Sequence, residues 1–258
     1  MIGQHERHEL DVPYEAIWMD CGQKNSRRYI NVTSIQRNLE EKCQGLSTAL
    51  VGLHAMTGSD FTSSFYNKGK IKGLKLLQRD EKHGLVEAFQ HFGEQEELSS
   101  AKYELFVAGL YGFPNCKDLN AARCQKLFKL AGWKKGEKPN KEKLKKINCA
   151  LLPPCVNTLK LKILRAQYIS TIWTRATKRN PSHGLDPLKS GWQKDESGCY
   201  EPTWYNGPLM PEIIPIADKK DKKKEPDDEL EADAKAEVDY ISSSDDDDDY
   251  DDDEELDE

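Results

Sequence analysis

Residues 46–56 are almost wholly apolar apart from His54, and they predict a buried helix that Thr57 and Gly58 bring to an end. Ahead of it, residues 17–20 and 28–32 read as two short strands around the polar turn Gly-Gln-Lys-Asn-Ser. Thr33 or Ser34 can then cap a helix to about Lys42, with Ile35 and Leu39 on one face. Behind it, residues 58–69 form a loop rich in Gly, Ser, Thr and Asn, and a third helix covers 70 to about 78. At about 100° per residue, Ile71, Leu74 and Leu77 share one arc and Lys72, Lys75 and Arg79 another. One face packs and the other presents charge. A further helix covers 85–92.

The pattern continues in a second region. Residues 94–110 read as a helix with Ala101, Leu105 and Ala108 at core spacing. Asp118 caps a helix that Gly132 ends, with Ala121, Cys124, Phe128 and Ala131 inward. Residues 134–146 are basic and read as a surface linker. A long helix over 156–178 follows Pro153 and Pro154, with Leu159, Ile163, Ala166, Ile169, Ile172 and Trp173 as its apolar stripe. Residues 191–194 and 200–205 read as a hairpin turning through Asp-Glu-Ser-Gly. The fold class expected is mainly α with short β elements. It divides into an extension (1–16), a first region (17–93), a helical region with a terminal hairpin (94–215) and a low-complexity tail (218–258).

Charge changes the picture more than composition does. The net charge of −7 conceals a division. Residues 225–258 hold 20 acidic groups against one lysine, a sum of −19, while the other 224 residues hold 37 basic and 25 acidic groups, a sum of +12. Like charges at that density predict a disordered tail. Hydrophobic content of 37% allows only a modest core. No apolar run approaches the roughly 20 residues of a membrane span, and the start lacks the apolar stretch of a secretory signal, so a soluble intracellular protein without a membrane partner is expected. Seven scattered cysteines without a Cys-x-x-Cys pair read as reduced, mostly buried thiols. A zinc site from Cys116, Cys124, Cys149 and Cys155 has no common spacing.

Candidate chemistry concentrates at 49–77. The stretch Ala-Leu-Val-Gly-Leu-His-Ala-Met-Thr-Gly-Ser-Asp-Phe at 49–61 resembles the apolar helix and Gly-Cys/Ser-Asp-Tyr motif of PIN-like nucleases of the flap-endonuclease type. The following Asn-Lys-Gly-Lys-Ile-Lys-Gly-Leu-Lys-Leu-Leu at 67–77 is similar to their helix–three-turn–helix element. The resemblance spans roughly 17–77 and implies the C-terminal part of a PIN-like α/β domain. The wording Gly-Leu-His-Ala-Met-Thr-Gly-Ser-Asp, with Leu-Leu-Pro-Pro-Cys at 151–155 and Glu-Pro-Thr-Trp-Tyr-Asn-Gly-Pro at 201–208, is similar to a multicopy group of animal proteins of suspected mobile-element origin. That second likeness carries no activity of its own.

What the family implies is a turn that contacts the DNA backbone and a pair of magnesium ions held by several carboxylates. Asp60 would be the last of those ligands, the others lying upstream of Ile17. Glu9 and Asp11 have the spacing of such a cluster, but Val12-Pro13 follows them rather than an apolar strand. Asp20 reads as a turn residue. One carboxylate does not hold two hydrated dications, so no catalytic residue and no cofactor are assigned to the chain as it stands. Magnesium enters only if a complete site is assembled.

The turn needs no metal to bind. Gly69 lets a phosphate approach the backbone, Lys70 opens a helix N-terminus, and Asn67 tolerates the left-handed conformation. Lys72, Lys75 and Arg79 can add phosphate contacts. A solvated helix face is the alternative. His54 reads as a core histidine rather than a partner of Asp60, and Trp133, Trp173, Trp192 and Trp204 read as packing residues.

The tail offers a second class of function. Its charge suits histones or other basic partners, or the basic body itself, and Ser242, Ser243 and Ser244 before five aspartates suit an acid-directed kinase. The lysine cluster in 219–224 reads as a nuclear-import signal. The sequence therefore predicts a non-catalytic relic of a PIN-like nuclease with weak, sequence-independent DNA binding. The alternatives are an interaction protein acting through its acidic tail, and a magnesium-dependent nuclease completed by missing upstream sequence.

Overall fold

The computed structural model describes residues 16–93, 100–133, 144 and 146–211. Within them the protein is mainly helical, with seven α-helices and two small antiparallel hairpins. The extension, the lysine cluster and the acidic tail lie outside the described residues, with Glu9, Asp11 and Ser242, Ser243 and Ser244 among them.

The first hairpin pairs β1 (Trp18–Cys21) with β2 (Arg28–Asn31), in a register that sets Asp20 opposite Tyr29. Asp20 is thus a strand residue rather than a turn residue. Its carboxylate takes three hydrogen bonds from the Arg27 guanidinium, the shortest 2.6 Å. Helix α1 (Val32–Lys42) is capped by Asn31, whose Oδ1 accepts from the Ser34 N–H, and not by Thr33 or Ser34. Leu39 packs on the core while Ile35 stays exposed, because α1 lies on the outside and buries no residue fully.

Helix α2 (Leu46–Thr57) is apolar on nearly all sides and sits at the centre. It packs against α1, α3 (Lys70–Gln78), α4 (Leu85–Gln90) and α7 (Val156–Thr174). Its N-terminus is held by the Glu40 carboxylate of α1, which accepts from the Gly45 N–H at 2.7 Å, the Ser47 N–H at 3.0 Å and the Ser47 hydroxyl. Burial works against that charge, but the bonds from Ser47 and Gly45 outweigh it and hold the Glu40 carboxyl below its usual range.

The core runs on into α5 (Ala101–Leu110) and the first turn of α6 (Leu119–Leu130). One buried cluster therefore draws side chains from both halves of the body, Leu46, Phe89, Phe106 and Ile163 among them. Ala101 is exposed, since α5 becomes buried on all sides only from Leu105 onward. In α6 the inward positions are Leu119, Ala122, Cys124, Leu127 and Phe128, while Ala121 and Ala131 are half-buried. A smaller cluster of Cys124, Leu127, Phe128 and Leu152 also takes Leu144, while the rest of the expected basic linker up to residue 143 lies outside the described residues.

After α7, β3 (Trp192–Lys194) and β4 (Tyr200–Pro202) form the second hairpin, with Trp192 opposite Pro202. The Asp195 carboxylate closes its turn by accepting from the Ser197 and Cys199 N–H groups. No disulfide joins the seven cysteines; Cys124 is buried, Cys199 exposed and the rest half-buried, so the thiols are less buried than expected. No helix among the described residues is long and apolar enough to cross a membrane.

Candidate nucleic-acid interface

The candidate site starts where α2 ends. Gly58 adopts φ +119°, and a Cβ there would lie 2.7 Å from the Ser64 Cα, so the chain can fold back closely only with glycine. The Thr62 hydroxyl donates to the Ala55 carbonyl at 2.7 Å, satisfying the end of the helix, and Ser59 and Thr62 exchange backbone hydrogen bonds. A second tight turn follows, in which the Lys68 N–H donates to the Phe65 carbonyl.

This turn sets up α3. Asn67 takes φ +51°, the left-handed conformation that the sequence permits there. Gly69 is the residue before α3, at φ −72° and ψ 161°. That backbone suits any residue, so conformation is not what glycine supplies. A Cβ at Gly69 would meet nothing within 4 Å, so the backbone here is open to a ligand. No side chain caps α3, and its first-turn N–H groups face the same open turn with Lys70.

Lys70, Lys72, Lys75 and Arg79 are all exposed. The packing face of α3 differs from the expected arc. Gly73 and Leu77 are buried, Leu74 is half-buried, and Ile71 is 64% exposed. A Cβ at Gly73 would lie 3.1 Å from Leu53, 3.2 Å from Thr57 and 3.3 Å from Phe106, so the missing side chain draws α3 onto α2 and α5. That rotation turns Ile71 outward beside the lysines. At the other end of α3, the Asp80 carboxylate accepts from the His83 and Leu85 N–H groups and ties α3 to α4.

Around Asp60 the geometry is aromatic rather than acidic. Asp60 is exposed. His54 is exposed as well, and is not a core histidine. Its ring tilts over the Trp173 indole at 5.3 Å, and Phe61 meets the same indole edge-on at 6.5 Å. Partial burial, then the Lys70 charge, lower the His54 pKa, with Asp60 acting in the opposite sense. Among the described residues no group of three or more His, Cys, Asp or Glu side chains stands close enough to hold a metal ion. The described residues alone do not supply the several carboxylates that a pair of magnesium ions needs.

The sequence reading missed three buried cations. Lys162 on α7 reaches back to the loop, where its Nζ donates to the Ser63 carbonyl and sits 4.5 Å over the Phe65 ring. Burial, and then the charge of Arg165, push the Lys162 pKa down to about 7. Arg165 donates to the carbonyls of Gly191 and Thr203 at 3.0 and 2.9 Å. Arg123 donates to the Leu209 carbonyl at 2.8 Å. Lys162 did leave a signal, since its helical position falls between Ala166 and Ile169 inside the apolar arc.

The tryptophans divide. Trp133 stacks on Phe128 at 4.7 Å, and Trp173 and Trp192 are half-buried. Trp204 is 70% exposed, with the Arg165 guanidinium 5.6 Å from its ring, so it is not a core residue. The chain matches no protein-family model, no curated protein and no solved structure.

Proposed function

We propose that the protein binds the phosphate backbone of DNA through the turn at 67–69 and the exposed face of α3, without reading sequence and without cleaving. In this reading it is a non-catalytic relative of PIN-like nucleases. The observation that carries it is the left-handed Asn67 followed by the open Gly69, which leaves the uncapped start of a basic helix accessible. Phosphate approaches the bare backbone, the helix N-terminus favours its charge, Lys70 supplies a cation at the helix start, and Lys72 and Lys75 supply cations along one face. Nothing in this arrangement reaches for base edges, so the affinity is electrostatic.

The test is fluorescence anisotropy with a labelled duplex across a salt series. Three phosphate contacts give a log–log salt slope of about −2 to −3. Replacing Lys70, Lys72 and Lys75 together by glutamate should abolish binding, with an unchanged circular dichroism spectrum. Absence of binding at low salt removes the proposal. Magnesium-dependent cleavage that Asp60→Asn abolishes would instead support a nuclease site completed by residues beyond those described.

A further inference from the structure

A cleft of about 410 Å³ lies between α2, the end of α4 with the residues after it, and the C-terminal half of α7 with the residues after it, within the roughly 300–1,000 Å³ typical of small-molecule sites. Its chemistry differs from that of the basic turn. Arg175 and Lys178 line it, and none of the described side chains lining it is acidic. Neither cation is paired with a carboxylate among the described residues. Arg175 spends one N–H on the His183 carbonyl at 3.3 Å, leaving most of its guanidinium fork available.

The remaining lining mixes the apolar Val51, Phe89 and Phe92 with polar side chains that are unevenly satisfied. Gln90 donates through Nε2 to the Thr48 hydroxyl at 3.1 Å and keeps a second N–H and its carbonyl oxygen. Thr171 and Thr174 donate to the Gln167 and Thr171 carbonyls, so their hydroxyl oxygens retain accepting capacity. Ser170 is 1% exposed, and its Oγ has no hydrogen-bond partner. That oxygen is enclosed by the protein, so it lies behind the wall of the cleft and not on its surface. The cleft thus offers a guanidinium and an ammonium for a doubly charged oxyanion, with donors and acceptors for neighbouring hydroxyls.

We propose that this cleft binds a small phosphorylated ribose compound, its phosphate on Arg175 and Lys178 and its hydroxyls on Gln90 and Thr174. A phosphate suits this pair better than a carboxylate, because it presents more oxygens and more charge to two cations. The site is independent of the DNA-binding reading and shares none of its residues.

The test is calorimetric titration of the full chain with ribose 5-phosphate, AMP, adenosine and inorganic phosphate. Saturable one-to-one binding of ribose 5-phosphate or AMP is expected, at least about tenfold tighter than adenosine or inorganic phosphate. Equal affinity for the two esters assigns the site to sugar phosphates; a preference for AMP assigns it to mononucleotides. The double variant Arg175→Gln, Lys178→Gln, both at least partly exposed, should weaken binding about tenfold or more. Thr174→Val, which removes one lining hydroxyl, should weaken it less. Glutamate at Lys70, Lys72 and Lys75 should leave it unchanged. No saturable binding of either ester would overturn the proposal. So would adenosine or inorganic phosphate binding as tightly as the esters, or affinity lost in the lysine variant and kept in the Arg175 and Lys178 variant.

Discussion

Lys162 places a charge inside the body, 6% exposed, between the Ser63 carbonyl and the Phe65 ring. Its ordinary pKa of 10.5 falls to about 7 because burial, reinforced by Arg165, disfavours the cation. Between those two values the unfolded chain binds more protons at this lysine than the native chain does. Stability therefore rises with pH across that window, whereas below about pH 7 the full penalty of the buried cation is present. At about 1.4 kcal/mol per pH unit, the gain is at most about 5 kcal/mol. Lys162→Met keeps the length of the side chain and removes the titration. Losing the contacts to Ser63 and Phe65 shifts its stability by a constant, but the slope is set by the proton alone. Urea unfolding near pH 6 and near pH 10 should show wild type gaining on the variant as pH rises. A difference that stays flat would mean that Lys162 titrates normally. The periodic pattern of α7 contains this residue without revealing it, because a lysine inside an apolar arc reads equally well as a stem that snorkels to water.

The helices follow the sequence where local chemistry decides them. Residues 46–57 are apolar on nearly every side apart from the exposed His54, so a central place for α2 follows, and its stop at Gly58 is written in the residue itself. Asn67 in the left-handed region is legible for the same reason. What local chemistry does not carry is which surface of a helix meets its neighbours. Gly73 counts for nothing in an apolar pattern, yet its bare backbone sets the approach of α3 to Leu53 and Phe106 and leaves Ile71 outside. The second hairpin shows the same limit. Its strands and turn were readable, but not the guanidinium that fastens it, since Arg165 precedes Gly191 by 26 residues. Arg165 holds both ends of the hairpin through the Gly191 and Thr203 carbonyls, while Thr203 also donates to Gly191. Arg165→Met should release this element and not the core. Hydrogen exchange is expected to accelerate across 191–205, with a local loss of about 1–3 kcal/mol, while the α2 amides keep their protection. Uniform acceleration through α2 would show instead that Arg165 supports the whole body.

For the whole molecule, the decisive quantity is the separation of charge along the chain. The first 224 residues carry +12 and the last 34 carry −19. A chain of this kind holds its own competitor for any anion that approaches α3, because an aspartate-rich segment offers the same charge as a phosphate backbone at a high effective concentration. The competition is electrostatic on both sides, so salt weakens both. Removing residues 225–258 should therefore tighten binding to duplex DNA most at low ionic strength, and the advantage should shrink as the Debye length falls from about 30 Å at 0.01 M to about 8 Å at 0.15 M. Changing Asp245, Asp246, Asp247, Asp248 and Asp249 together to asparagine in the full chain should reproduce part of the gain with the length preserved. The measurement is anisotropy of one labelled duplex with the three proteins over that salt range. If truncation leaves affinity unchanged at 0.01 M, the acidic segment does not compete for the basic helix and its charge serves a separate partner. If affinity falls on truncation, the tail itself contributes to the DNA complex, which a purely electrostatic competitor cannot do.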